Sequence, residues 1–208
     1  MQARSEFILG GQRSGKSRRA ELLARDWLAQ SADHKALMIA TATAWDEEMA
    51  ERIARHQFDR AERVPGMTTI EEPIDPGGVI QTHSGSQTMV VVDCLTLWLT
   101  NLLMPHETTD KSATNAGINR NIASNMPLVQ YIKGHTATFL IAIKNAAGPV
   151  VLVGNEIGLG VIPMGRDTRQ FVDTLGRLNQ EVADVCERVS FMAAGLPLTL
   201  KGKPCTSL

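Results

Sequence analysis

The stretch Gly10-Gly11-Gln12-Arg13-Ser14-Gly15-Lys16-Ser17 constrains this chain most. It fits G-x-x-x-x-G-K-[ST], the phosphate-binding loop of nucleoside triphosphatases. Its neighbours fit as well. Phe7, Ile8 and Leu9 read as a buried strand, and Arg18 to Gln30 reads as a helix. Strand, glycine-rich loop and helix together are the arrangement the motif needs. Glycines let the backbone curl so that N–H groups point inward at phosphate oxygens. The helix N-terminus adds favourable partial charge. In this reading Gly10 to Ser17 bind nucleotide, Lys16 neutralises the β- and γ-phosphates, and the Ser17 hydroxyl ligates Mg²⁺.

The strand pattern extends the fold. Lys35 to Ala40, Thr68 to Glu71, Met89 to Asp93 and Pro149 to Val153 read as strands, with helices over Asp46 to Arg60, Leu95 to Leu103, Leu128 to Asn145 and Thr168 to Glu187. Near-continuous Val/Ile/Leu strands between helices predict a mostly parallel sheet covered on both faces. Arg188 to Ala193 and Leu196 to Leu200 predict a C-terminal β-hairpin around Gly195. The expected architecture is an α/β phosphate-loop NTPase of RecA-like type. A length of 208 residues suits a single nucleotide-binding domain. Met104 to Pro127 differs in composition, rich in Asn, Thr and Ser, and reads as a polar insertion.

Composition narrows the function. A formal net charge of −1 speaks against a nucleic-acid partner, which normally demands a strongly basic domain. No apolar run is long enough for a membrane span. Met1 to Glu6 is polar and predicts no signal peptide. Cys94, Cys186 and Cys205 have no metal-ligand spacing and form no disulfide framework, so a reducing cytoplasm is expected.

Other groups carry chemistry. Val90-Val91-Val92-Asp93 is an apolar strand ending in an acid; Asp93 either holds Mg²⁺ or is an ordinary strand-end aspartate. Cys94 follows, where motor ATPases often place a catalytic Glu. His56 lies on the Asp46 to Arg60 helix and shares a face with Met49 and Ile53. It reads either as a half-buried histidine with a backbone partner or, beside Arg52, Arg55 and Arg60, as a phosphate-handling nucleophile. Asn155 to Gly160 follows a strand at the carboxyl edge of the sheet, where ligands bind, or is a plain connection. Gly176 sits inside a helix, at a cost of about 1 kcal/mol against Ala, which suggests close packing or ligand approach.

These segments together resemble one family. Gly10 to Arg18 with Ala20-Glu21 is similar to the GGxRSGKSxxAE start of the bifunctional adenosylcobinamide kinase/adenosylcobinamide-phosphate guanylyltransferases of cobalamin synthesis. Ile39 to Ala42, Asp46 to Met49 and Arg52 to His56 resemble its IAT…DxEMxxRIxxH segment. Asn155 to Pro163 resembles its NEVGxGIVP, and Arg169 with Phe171 and Gly176 to Gln180 resembles its RxFxDxxGRxNQ. The resemblance implies a kinase step on adenosylcobinamide and GMP transfer to its phosphate, with ATP and GTP as substrates. It implies guanylylation of His56 and nucleotide contacts at Ala40, Thr41, Ala42, Gln57, Phe58, Asp59, Arg60, Glu71 and Asp93. It also implies a homotrimer. Arg60 is followed by Ala61 to Met67, which lacks the family's usual R-P-x-x-W. The residues alone leave two other readings: a small-molecule kinase with only the phosphoryl step, or a RecA-like ATPase acting on a macromolecular partner.

Overall fold

The computed structural model describes residues 3–103 and 128–204. Its elements, in chain order, are β1 (Ser5–Gly10), α1 (Lys16–Leu28), β2 (Lys35–Ala40), α2 (Glu47–Arg63), β3 (Met67–Glu71), α3 (Pro76–His83), β4 (Thr88–Asp93) and α4 (Leu95–Leu103). After them come α5 (Leu128–Asn145), β5 (Val150–Val153), α6 (Arg166–Val185), β6 (Arg188–Ala193) and β7 (Leu196–Lys201). The insertion expected over 104–127 lies outside the described residues.

All seven strands join one sheet in the order β3-β2-β4-β5-β1-β6-β7. Every neighbouring pair is parallel except β6 and β7, which form the C-terminal hairpin. β5 is inserted between the loop-bearing strand β1 and the acid-ending strand β4. This is the RecA-like arrangement expected from the sequence.

Period-two alternation splits the apolar strands between two cores. Phe7, Leu9, Val90, Val92, Val150 and Leu152 face one side, where α3 to α6 cover them. Ile8, Met89, Val91, Val151 and Val153 face the other, against Ala20 and Ala24 of α1. α4 is apolar nearly all round, as a buried helix is. α2 is the opposite: Arg60 is its only buried residue.

Most element boundaries fall within two residues of the sequence reading. α3 was not expected. Its Asp75 side chain caps the Gly78 N–H at 3.0 Å and Pro76 opens it, but the helix is only 8 residues long and rich in glycine. Short helices of that composition carry little periodic signal. Gly176 is not closely packed: a Cβ there would meet nothing within 4 Å.

Candidate active site

The phosphate loop is held in shape by backbone geometry. Gly10 has φ +154° and Gly15 φ +99°, conformations that disfavour a side chain. A Cβ on Gly10 would also stand 2.6 Å from the Met192 carbonyl oxygen. Gly15 precedes α1 and supplies no side-chain cap, so the first-turn N–H groups are left for an anion. The Gly195 N–H donates to the Ser14 carbonyl at 3.0 Å, so the turn of the β6–β7 hairpin braces the loop.

Lys16 is buried, with its ammonium donating to the Gly11 carbonyl at 2.6 Å. Burial lowers its pKa from the ordinary lysine value, and the Asp93 carboxylate partly offsets this. Cys94 lies close by, but desolvation pushes its thiol up to about 12, so it is neutral near pH 7. Asp93 is then the anion that Lys16 faces.

Asp93 ends β4, half-buried, two strand spacings from β1, about 10 Å. Thr41 fixes this strand end. Its N–H donates to the Asp93 carbonyl at 3.1 Å. Its hydroxyl donates to the Cys94 carbonyl at 2.7 Å and accepts from the Cys94 N–H at 2.8 Å. Thr41 is wholly buried, so its hydroxyl is committed to positioning. Asn101 was missed by the sequence reading. Its amide donates to the carbonyls of Thr41 at 2.7 Å and Pro73 at 3.1 Å, joining the loops after β2 and β3. A lone Asn inside the apolar run Leu95 to Leu103 was the signal available.

A cavity of about 370 Å³ opens beyond these loops, lined by Ala42, Ile53, Gln57, Glu71 and Pro73 among others. The Gln57 amide donates to Glu71 at 3.1 Å across it. Three expected nucleotide contacts, Ala42, Gln57 and Glu71, therefore share one wall. Phe58, Asp59 and Arg60 do not follow Gln57 onto it, because successive helical residues turn by about 100°. Phe58 is 64% exposed, Asp59 pairs with Arg63 at 2.8 Å, and Arg60 is buried. Ala40 is half-buried, its carbonyl accepting from the Glu72 N–H at 2.9 Å. His56 is exposed, which overturns the half-buried reading. Asp46 caps α2 by accepting from the Met49 N–H at 2.7 Å.

α2 is tied to α1 by charge. Arg63 donates to Glu21 at 2.7 Å, and Glu21 is 2% exposed. The carboxylate holds the guanidinium above its ordinary pKa, chiefly through that hydrogen bond.

The profile of the family described as cobinamide kinase / cobinamide phosphate guanyltransferase matches residues 6–200. The chain belongs to this family. Within the cobinamide kinase / guanyltransferase family, the bifunctional adenosylcobalamin biosynthesis protein CobP of Pseudomonas aeruginosa is 41% identical over 96% of this chain and 98% of its own length. The bifunctional adenosylcobalamin biosynthesis proteins CobU of Escherichia coli and Salmonella typhimurium are 32% and 30% identical, each over 94% of this chain and 98% of its own length. Among solved structures, the flagellar accessory protein FlaH of Methanocaldococcus jannaschii gives a TM-score of 0.48 at 13% identity, over 96% of this chain and 78% of that one. Nucleoside triphosphates are the substrates that the family's chemistry requires. No helix among the described residues is long and apolar enough to cross a membrane.

Proposed function

We propose that this chain phosphorylates the terminal hydroxyl of adenosylcobinamide and then transfers GMP to the product through a guanylyl-histidine at His56. One observation carries the reading: the phosphate loop and a histidine-bearing helix flank the same carboxyl edge of the sheet, with a nucleoside-sized cavity beside the helix. A phosphoryl step alone needs only the loop.

In the first step the substrate hydroxyl attacks the γ-phosphorus of a triphosphate. An O–P bond forms, the bond to the β,γ-bridging oxygen breaks, and the hydroxyl loses its proton. Lys16 and the α1 N-terminus stabilise the charge that develops on the transferred group. In the second step the neutral His56 imidazole attacks the α-phosphorus of GTP. An N–P bond forms and pyrophosphate leaves. The corrinoid phosphate then takes the GMP from the phosphoramidate. Splitting the transfer lowers each barrier. Exposure of His56 suits a group that must accept GMP at one partner and deliver it to another.

The residues present fit Mg²⁺. Among the described residues no cluster of three or more His, Cys, Asp or Glu could cage a metal. Mg²⁺ ordinarily binds through one or two carboxylates together with substrate phosphates. The Ser17 hydroxyl and the Asp93 carboxylate would hold it. Bound there, it would neutralise charge on the triphosphate.

The reading also places the protein in the cytoplasm, as a single nucleotide-binding domain that assembles as a homotrimer. Leu196, Leu198 and Leu200, 57–61% exposed along edge strand β7, support a partner copy. The test is phosphorylation of adenosylcobinamide followed by mass spectrometry. Wild-type protein should form the phosphate with ATP or GTP and the GDP-linked product with GTP. His56→Asn should stop at the phosphate. GDP-linked product from His56→Asn would refute the histidine route.

A further inference from the structure

Beyond β5 the chain crosses to α6 through residues 155–165, and this loop turns its large apolar side chains outward. Ile157 is 41% exposed, Leu159 76%, Val161 95%, Ile162 77% and Met164 96%. Five exposed large apolar side chains on one short loop are the kind of surface that a ligand or partner covers. The polar backbone of the loop, by contrast, is well bound. The Glu156 N–H donates to the Gly10 carbonyl at 3.1 Å, which fastens the loop to the phosphate loop itself. The Asn155 N–H donates to the Thr96 hydroxyl at 3.0 Å, and the Asn179 amide donates to the Asn155 carbonyl at 3.1 Å. At the far end the Arg169 guanidinium donates to the carbonyls of Pro163 and Met164. Both ends are anchored, and what lies between presents apolar surface.

The occupant follows from the kinase reading, on which this inference rests. The acceptor must bring its hydroxyl up to the γ-phosphate at Lys16, so its body lies beside the phosphate loop. The cavity of about 370 Å³ is lined from the ends of β2 and β3 and from α2, on the far side of β4, and suits a nucleoside. A corrin macrocycle is too large for it. The corrin ring offers broad apolar faces and peripheral methyl groups, with polar amides at its rim. The 155–165 loop leaves β5, the strand directly beside β1, and is bonded to Gly10. Its apolar surface matches the macrocycle in character and in position.

We propose that Ile157, Leu159, Val161, Ile162 and Met164 form the docking surface for the corrinoid macrocycle and hold its hydroxyl-bearing arm toward Lys16. The experiment uses the double variant Leu159→Asn/Val161→Asn, with circular dichroism to verify the fold and Val161→Ser as a milder companion. Binding of dicyanocobinamide is measured by equilibrium dialysis, half-saturation for the corrinoid by the phosphorylation rate, and assembly size by light scattering. Losing two apolar contacts should raise both dissociation constant and half-saturation at least ~10-fold in the double variant. Val161→Ser should raise them less. Labelling by GTP without corrinoid should stay within about twofold of wild type. Unchanged dicyanocobinamide affinity would overturn the proposal. A smaller assembly with unchanged affinity would give the loop to a second copy of the chain instead. Wild-type protein that binds dicyanocobinamide but never phosphorylates it would refute the kinase reading while leaving the docking surface standing.

Discussion

Lys16 carries its charge where burial disfavours it, and that opposition is informative. Its folded pKa lies below the lysine value of 10.5 in the unfolded chain. Between the two values the unfolded chain holds more protons, so stability of the nucleotide-free protein rises with pH across that window. A buried cation kept against that cost needs an anionic partner, and a triphosphate supplies one. Lys16→Ala should lose at least ~10²-fold in phosphoryl transfer, the scale of removing one preorganised charge-stabilising group. Near-normal rates in a folded Lys16→Ala protein would remove the phosphate-loop assignment. Asp93→Asn keeps the shape and loses the charge that attracts the cation. Its half-saturating Mg²⁺ concentration should rise several-fold, while metal-free nucleotide binding changes little. A Mg²⁺ titration of activity checks this, and an unchanged midpoint would make Asp93 an ordinary strand-end residue. Both residues were legible in the sequence, since each sits at the end of an apolar strand or in a complete motif. Thr41 and Asn101 were harder to read. Their roles depend on which loops the sheet brings together, and spacing along the chain does not encode that.

Among the described helices α2 is the one with no buried apolar residue. Arg60 is its one buried residue, and its ties to the body include Arg63 to Glu21 and Gln57 to Glu71. Glu21 is almost wholly buried, while Arg63 is 38% exposed. The two partners should therefore respond unequally to truncation. Arg63→Met leaves a buried carboxylate unpaired and should cost about 3 kcal/mol, read by urea unfolding. Glu21→Met leaves a guanidinium that water can reach and should cost less than half of that. Equal losses would show that the pair is merely a surface contact. The sequence revealed α2 through its acidic start and basic end, and it placed His56 on the helix. It did not reveal that the helix stands clear of the core, because the face shared by Met49, Ile53 and His56 reads as a half-buried stripe. α3 escaped for the reverse reason: it has eight residues, two of them glycine after a proline, and no periodic pattern.

At the scale of the whole molecule, the sheet order is what gathers the chemistry. With β5 between β1 and β4, Lys16 at the start of α1 lies near Asp93 at the end of β4, and the turn of the β6–β7 hairpin braces the phosphate loop. The parallel, two-sided core was legible because β1, β4 and β5 are continuous apolar runs. The bracing turn was not, because a contact between Gly195 and Ser14 leaves no pattern in either segment. The central claim is that one chain performs phosphoryl transfer at Lys16 and nucleotidyl transfer at His56. The most direct measurement is the intact mass of the protein after incubation with GTP and Mg²⁺, followed by peptide mapping. The proposed function predicts the added mass of one GMP per chain, on His56, stable to alkali and lost in acid, where protonation of the phosphoramidate nitrogen makes it a good leaving group. Unmodified protein under conditions where adenosylcobinamide is phosphorylated, or GMP on a different residue, would contradict it.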